Sequence, residues 1–429
     1  MEFILQKVKI IDPRSKYHLK VCDIKIQQGV ITQIAKDIPP SSKSKILNCK
    51  SSCVSPYWID FGAACGEPGY EYRETLASLS NAAIAGGYGA VFIMPNNKPF
   101  THSKTEVHAI LAKSESVAVT IYPVGAISKE GAGKEMAEML DMNSMNVNCF
   151  SDGSISIQNS GLLLRSLEYS KLIPNSVLVQ FPFDQSIGAL GQMHEGHWST
   201  FMGLKGIPAI AEELMVQRDI KLNQYAEASL MLHKISTQDS VAQIKRARKE
   251  SIKLFSSVSV MNLAYEDKDV LGFKHQLKLM PPLRSKEHRK ALIAGLIENT
   301  IDLICSDHTP WDPEKKELEF QQAAFGGINL QTAYSVYKSI ANSDLTDELW
   351  VQKVSIRPRE IFSLPEDVID VDKPANISWW DPNREYTFTP KENQSLSENS
   401  FFINQKRIGK ALGVFIKGQF HLSHHESKI

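Results

Sequence analysis

The sequence predicts an α/β chain: a (β/α)8, TIM-type barrel carrying a small β-sandwich module formed from both termini. Three observations lead there. The middle of the chain alternates short apolar runs with helix-like stretches, and repeated β-then-α units imply a parallel sheet. Both ends show strand-like alternation instead. The chain is 429 residues long, which leaves room for a barrel of about 250 residues and a smaller unit. Residues 1–54 and 366–429 are expected to form the composite module, and 55–365 the barrel. Eight strands cannot all be counted, so a doubly wound open sheet stays as the alternative.

Taken in order, FILQKVKII and VCDIKIQQGVITQIA read as strands, with Asp12-Pro13 and Gly29 as turns. AVFIMP, VAVTIYPVG, VLVQFPF, ASLMLH and DLICSDH then read as parallel strands buried on both faces. TLASLSNAAIAGG, AEELMVQRDIKLNQ and DSVAQIKRARKESI are the helices between them, the last capped by Ser236 or Thr237. ANISWWDPNREYTFTP and ALGVFIKGQFHLS return to strand character, and the tail HLSHHESKI is polar.

Composition narrows the function. With 48 basic and 48 acidic residues the net charge is zero, so no basic field would draw nucleic acid or an anionic membrane. No run of about 18 apolar residues occurs, and MEFILQKVKIIDP lacks the pattern of a signal peptide. Six cysteines (Cys22, Cys49, Cys53, Cys65, Cys149, Cys305) in so long a chain do not read as a disulfide framework. Reduced thiols in a cytoplasmic protein are expected. Gly131-Ala132-Gly133-Lys134 lacks phosphate-loop spacing. His194-x-x-His197 has no zincin Glu, and scattered histidines are the plainer reading.

From Trp58 to Thr75 the chain reads WIDFGAACGEPGYEYRET. Further on come Met94-Pro95-Asn96, Phe150-Ser151-Asp152-Gly153, Ala211-Glu212, Arg218-Asp219, Ile235-Ser236-Thr237, Pro281-Pro282-Leu283-Arg284 and Ser306-Asp307-His308-Thr309-Pro310. Together these resemble the dihydroorotases and their relatives in the cyclic amidohydrolase superfamily, over nearly the whole chain. The family's first loop runs Asp, His-x-His, Arg, Glu-Pro-Gly. Asp60, Glu67, Pro68, Gly69, Glu74 and Thr75 keep that frame, while Gly62 and Ala64 stand at the two His positions and Gly66 at the Arg.

The resemblance implies a site built on one or two zinc ions, which need imidazole and carboxylate donors and an open position for water. Phe181 and Lys234 stand at two further ligand positions, and Met280 replaces the Asn before Pro-Pro-Leu-Arg. Asp152 and Asp307 remain. A one-residue offset on a strand turns a side chain to the other face, so His233 is expected to point away. Asp307 reads either as a remnant general base or as a structural carboxylate. Lys234 reads either as a desolvated nucleophile or as an ammonium filling the metal hole, paired with Asp307 or Asp152. Cys65 reads as a buried thiol or a nucleophile, and Asn96 as a substrate-binding remnant.

The expectation is a catalytically degenerate dihydroorotase homologue with no cofactor. It would self-associate or serve as a structural or regulatory partner, by resemblance of aspartate transcarbamoylase in pyrimidine synthesis. One alternative is an active cyclic amide hydrolase with a rebuilt site, with or without zinc. Another is a metabolite sensor with a pocket lined by Phe181, Cys65 and Met280.

Overall fold

The computed structural model describes residues 2–340 and 344–423; the tail histidines, His424 and His425, lie outside the described residues. Strands from both ends of the chain share one eight-stranded sheet. Cys53–Pro56 sits between the N-terminal strand Glu2–Ile10 and the C-terminal strand Ile377–Phe388. A small β-sandwich module built from both termini was expected, and among the described residues its strands belong to one sheet. Glu2–Ile10 breaks register between Leu5 and Val8, where Lys7 has φ 58°. Such a bulge bends its strand. The first half therefore pairs with Ser44–Asn48 and the second with Cys53–Pro56, so the sheet branches at this strand.

Eight parallel strands make up the second unit, in two arcs. Trp58–Ala63, Tyr88–Ile93 and Thr120–Pro123 form the first. Cys149–Ser151, Val177–Gln180, Leu230–Leu232, Leu254–Ser259 and Leu303–Cys305 form the second. A parallel bridge between Gly125 and Phe150 joins one seam. At the other, Asp60 accepts from the Ser306 N–H and hydroxyl, both at 2.8 Å, and Ala64 N–H donates to the His308 carbonyl at 2.9 Å. No continuous ladder closes the ring among the described residues. The expected strand number and direction are present, with isolated backbone contacts and the Asp60 side chain standing where a closed ladder would run.

Helices follow the predicted segments. Leu76–Gly86 starts on a reciprocal Thr75–Ser78 cap and ends at Gly87. Gly87 has φ 87°, and a Cβ there would meet the Trp58 ring at 2.8 Å, so only glycine fits. Thr237, not Ser236, caps Gln238–Lys249 by accepting from Ser240 N–H. The two units are joined by an aromatic cluster: Trp58 lies 5.1 Å from Trp380 of the sheet and 5.4 Å from Trp350, all three fully buried. Rings of this size dominate core energetics. No helix of the described residues is long and apolar enough to cross a membrane.

Candidate functional site

The residues singled out in sequence converge at the C-terminal ends of the parallel strands, where folds of this kind place their sites. Lys234 and Asp307 lie just past Leu230–Leu232 and Leu303–Cys305. Lys234 Nζ donates to Asp307 Oδ1 at 2.8 Å and to the Met280 carbonyl at 3.1 Å. The Ser259 hydroxyl donates to Asp307 Oδ2 at 3.2 Å. The pair is largely buried, at 12% and 3% side-chain exposure. Both residues adopt φ 57°, a left-handed backbone that costs non-glycine residues on the order of 1 kcal/mol or more. Lys234 is thus aimed at Asp307 and not at Asp152.

That backbone also corrects the expectation for His233. Strand alternation applies only within a strand, and this strand ends at Leu232. The left-handed turn brings His233 and Lys234 to the same cavity. Burial, reinforced by the Lys234 charge, holds the His233 imidazole well below its usual pKa and therefore neutral. Its Nδ1 lies 2.7 Å from the Ser257 hydroxyl.

Two of the positions that the resemblance assigns to a ligand or to Arg have no room for a side chain. Gly62 has φ 94°, and a Cβ there would lie 2.7 Å from His233 Nε2. At Gly66 a Cβ would approach the Tyr70 carbonyl to 2.1 Å, because Tyr70 N–H bonds back to Gly66 at 2.6 Å. A cavity of ≈ 350 Å³ remains, bordered by Gly62, Ala64, Cys65 and Gly66 on one side and by Lys234 and Trp311 on the other.

Other predicted residues serve the frame. Asn96 donates to the Asp152 carbonyl at 3.1 Å and accepts from Ser154 N–H at 3.2 Å, so its amide is bound to backbone although it borders the cavity. Asp152 accepts from the N–H groups of Ile127 and Ser128, both at 2.9 Å, and from the Ser128 hydroxyl. Burial raises its pKa against those donors. Burial also raises the Cys65 thiol, which makes it a poor nucleophile. Phe181 and Met280 do not line the cavity. The Phe181 ring lies 5.5 Å from Lys234 Nζ, and Met280 offers its carbonyl to the same ammonium. Arg73, Tyr70 and Trp311, which do line the cavity, escaped the sequence reading. The aromatics flanking Arg in Tyr-Glu-Tyr-Arg were the available signal.

Behind the site, framework motifs meet in one buried network. Arg284 donates to Ser236 Oγ at 3.0 Å, the Ile207 carbonyl at 2.8 Å and His194 Nδ1 at 3.2 Å. Glu212 accepts from the Ser236 and Thr237 N–H groups at 2.8 and 3.0 Å. His194 is therefore a neutral acceptor, while His197 is exposed. Burial first, and then the Arg284 charge, push His194 down to about 3. The unfolded chain takes up this proton near pH 6.5 and the folded chain does not. Stability should thus fall as pH drops from about 6.5 toward 3, by up to about 1.4 kcal/mol per pH unit from this group. Urea unfolding of His194→Phe across that range should show the slope reduced by one proton.

A resident zinc ion does not fit this donor set. Gly62, Ala64 and Phe181 offer no ligand atom, and the Lys234 ammonium is bonded to Asp307. Among the described residues no three His, Cys, Asp or Glu side chains gather as a metal would require.

The α/β unit and its terminal β sheet form a fold that solved structures share. It is shared with L-hydantoinase (dihydropyrimidinase) from Arthrobacter aurescens, at TM-score 0.83 and 18% identity over 97% of this chain and 95% of that one. Dihydropyrimidinase from Brevibacillus agri gives 0.81 and 16%, over 98% and 95%. Residues 53–240 match the family described as dihydro-orotase-like. The dihydroorotase of Acetivibrio thermocellus is 32% identical over 95% of this chain and 96% of its own. That of Anaeromyxobacter dehalogenans is 32% identical over 98% and 97%. The chain belongs to the dihydroorotase family.

Proposed function

We propose that this chain is a zinc-free, catalytically silent dihydroorotase homologue that acts as a structural or regulatory partner in pyrimidine synthesis. The observation that carries the reading is the ion pair at the strand ends. Lys234 places one positive charge against Asp307, where the family resemblance puts the metal, and so leaves Asp307 paired. Without an ion to lower the pKa of water, a neutral His233 and a paired Asp307 make weak substitutes. The partner role draws on the resemblance, which points to aspartate transcarbamoylase or to a second copy of the chain. Exposed Leu190 and Phe201, at 79% and 71%, supply apolar surface for association.

Zinc titration calorimetry on the metal-stripped chain, with a dihydroorotate hydrolysis assay alongside, tests the reading. We expect no zinc binding tighter than micromolar and no hydrolysis above the uncatalysed rate. One tight zinc per chain, or turnover that a chelator abolishes, would overturn it.

A further inference from the structure

We infer that a second cavity, in the wall of the α/β unit between Thr120–Pro123 and Cys149–Ser151, is a binding site for a small neutral aromatic carboxamide. Its volume of ≈ 390 Å³ lies within the range that holds a small organic ligand. It is bordered by residues 145–148 and by Val119, which lead into these strands, and shares no lining residue with the cavity of Lys234. It therefore stands apart from the zinc-free reading.

The sequence explains why the wall opens here. Each of the two strands is paired on its other side, with Tyr88–Ile93 and Val177–Gln180. Across the seam they share one isolated bridge. Gly125 N–H donates to the Cys149 carbonyl at 3.0 Å, and Ser151 N–H to the Gly125 carbonyl at 2.8 Å. The next bond of a parallel ladder would run from Cys149 N–H to the Pro123 carbonyl. That bond would turn the bridge into a ladder, and it is not made among the described residues. The bond after it needs an N–H at position 123, which proline lacks. The Val147 carbonyl that would have accepted it takes the Asn143 side-chain amide at 3.0 Å instead. Val124 N–H turns away, to the Ile93 carbonyl at 3.0 Å, so alternation along the strand aims the N–H and carbonyl of Ile121 at the seam.

The seam thus presents two donors, Cys149 N–H and Ile121 N–H, and two acceptors, the Pro123 and Ile121 carbonyls. All three residues are buried and border the cavity, where backbone groups without partners are costly. The two faces of the slot are apolar. Phe92 and Tyr122, stacked at 4.8 Å, pack with the side chains inside the strand ring. Leu111, Val119 and Met145 pack with the layer beneath the helices. A flat ring lying in the plane of the sheet would touch both layers and turn its edge to the backbone groups. A carboxamide carries two N–H donors and a carbonyl, which suits this edge. A carboxylate has no donor for the two carbonyls, and its charge would be buried unpaired. Of the charged residues at the rim, Glu115 and Lys417 are both exposed, and Lys417 Nζ donates to the Val117 carbonyl at 3.3 Å.

Titration calorimetry of the full chain with benzamide, N,N-dimethylbenzamide and benzoate tests the proposal, on the wild type and on Leu111→Trp, whose larger ring fills the slot from its helix side. We expect benzamide to bind at millimolar concentration or tighter. The dimethyl compound, which lacks the donors, and benzoate should each bind at least roughly tenfold more weakly. Leu111→Trp should lose a similar factor for benzamide. Hydrogen exchange then locates the ligand: benzamide should slow exchange in peptides covering 119–123 and 145–149. No binding of benzamide, equal binding of the three compounds, unchanged binding by Leu111→Trp, or slowed exchange only around Cys65 and Lys234 would overturn the proposal. Should Leu111→Trp fail to fold, the ligand contrast and the exchange pattern still decide.

Discussion

Replacing Lys234 with Ala should destabilise the fold by about 3–5 kcal/mol, the usual cost of removing one partner from a buried ion pair. The loss has a specific origin. Asp307 is 3% exposed and keeps only the Ser259 hydroxyl on its other oxygen, so the variant buries an uncompensated carboxylate. The Met280 carbonyl loses a donor as well. Removing the whole pair, as Lys234→Met with Asp307→Leu, should recover most of the loss, since apolar replacements of buried pairs are often neutral. Equilibrium urea unfolding of the three variants measures this. A neutral Lys234→Ala would show that water reaches Asp307 and that the ammonium plays no structural part.

The second large effect is expected at Arg284. Substitution by Met should cost a comparable 3–5 kcal/mol, because Arg284 is the cation of the Glu212 network, with Nη2 at 3.8 Å from the carboxylate. Both side chains are 2% exposed. The Ile207 carbonyl and His194 Nδ1 lose their donor in the same step. Arg284→Lys should recover only part, since one ammonium cannot reproduce three in-plane bonds. Thermal unfolding followed by circular dichroism distinguishes the two variants, and equal midpoints would argue that the network tolerates loss of the guanidinium.

Much of this architecture was legible in sequence, for reasons that differ by region. The runs AVFIMP and VLVQFPF became strands Tyr88–Ile93 and Val177–Gln180 because buried parallel strands are apolar on both faces. Cys149–Ser151 and Leu254–Ser259 lacked that signal, since four of their nine residues are serines. Ser256 illustrates why they can be: its hydroxyl donates to the Thr300 carbonyl at 2.9 Å, which makes a polar residue admissible in a buried strand. The branch in the terminal sheet was illegible because it depends on the left-handed backbone at Lys7, a residue type that carries no propensity for it.

At the site, residue types identified what is missing but not what fills the space. Gly62 read as an absent ligand and Gly66 as an absent Arg. In the structure each is the room another group requires, His233 in one case and the Tyr70 carbonyl in the other. The alternation rule failed at His233 because the strand stops one residue earlier. Arg73 was passed over because its partners Trp311 and Asp312 lie more than two hundred positions away in the chain.

The shared terminal sheet also bears on how the molecule is made. Residues 53–56 leave the ribosome long before their partners at 377–380, and domains generally fold as units during synthesis. Until those partners are made, that strand presents an open edge toward the nascent chain, the kind of edge that recruits wrong partners. The intervening residues, including the charged pair at the strand ends, must collapse while this edge waits. A ribosome stalled just before position 377 would therefore display a formed α/β unit beside a half-built sheet, a species suited to capture by chaperones.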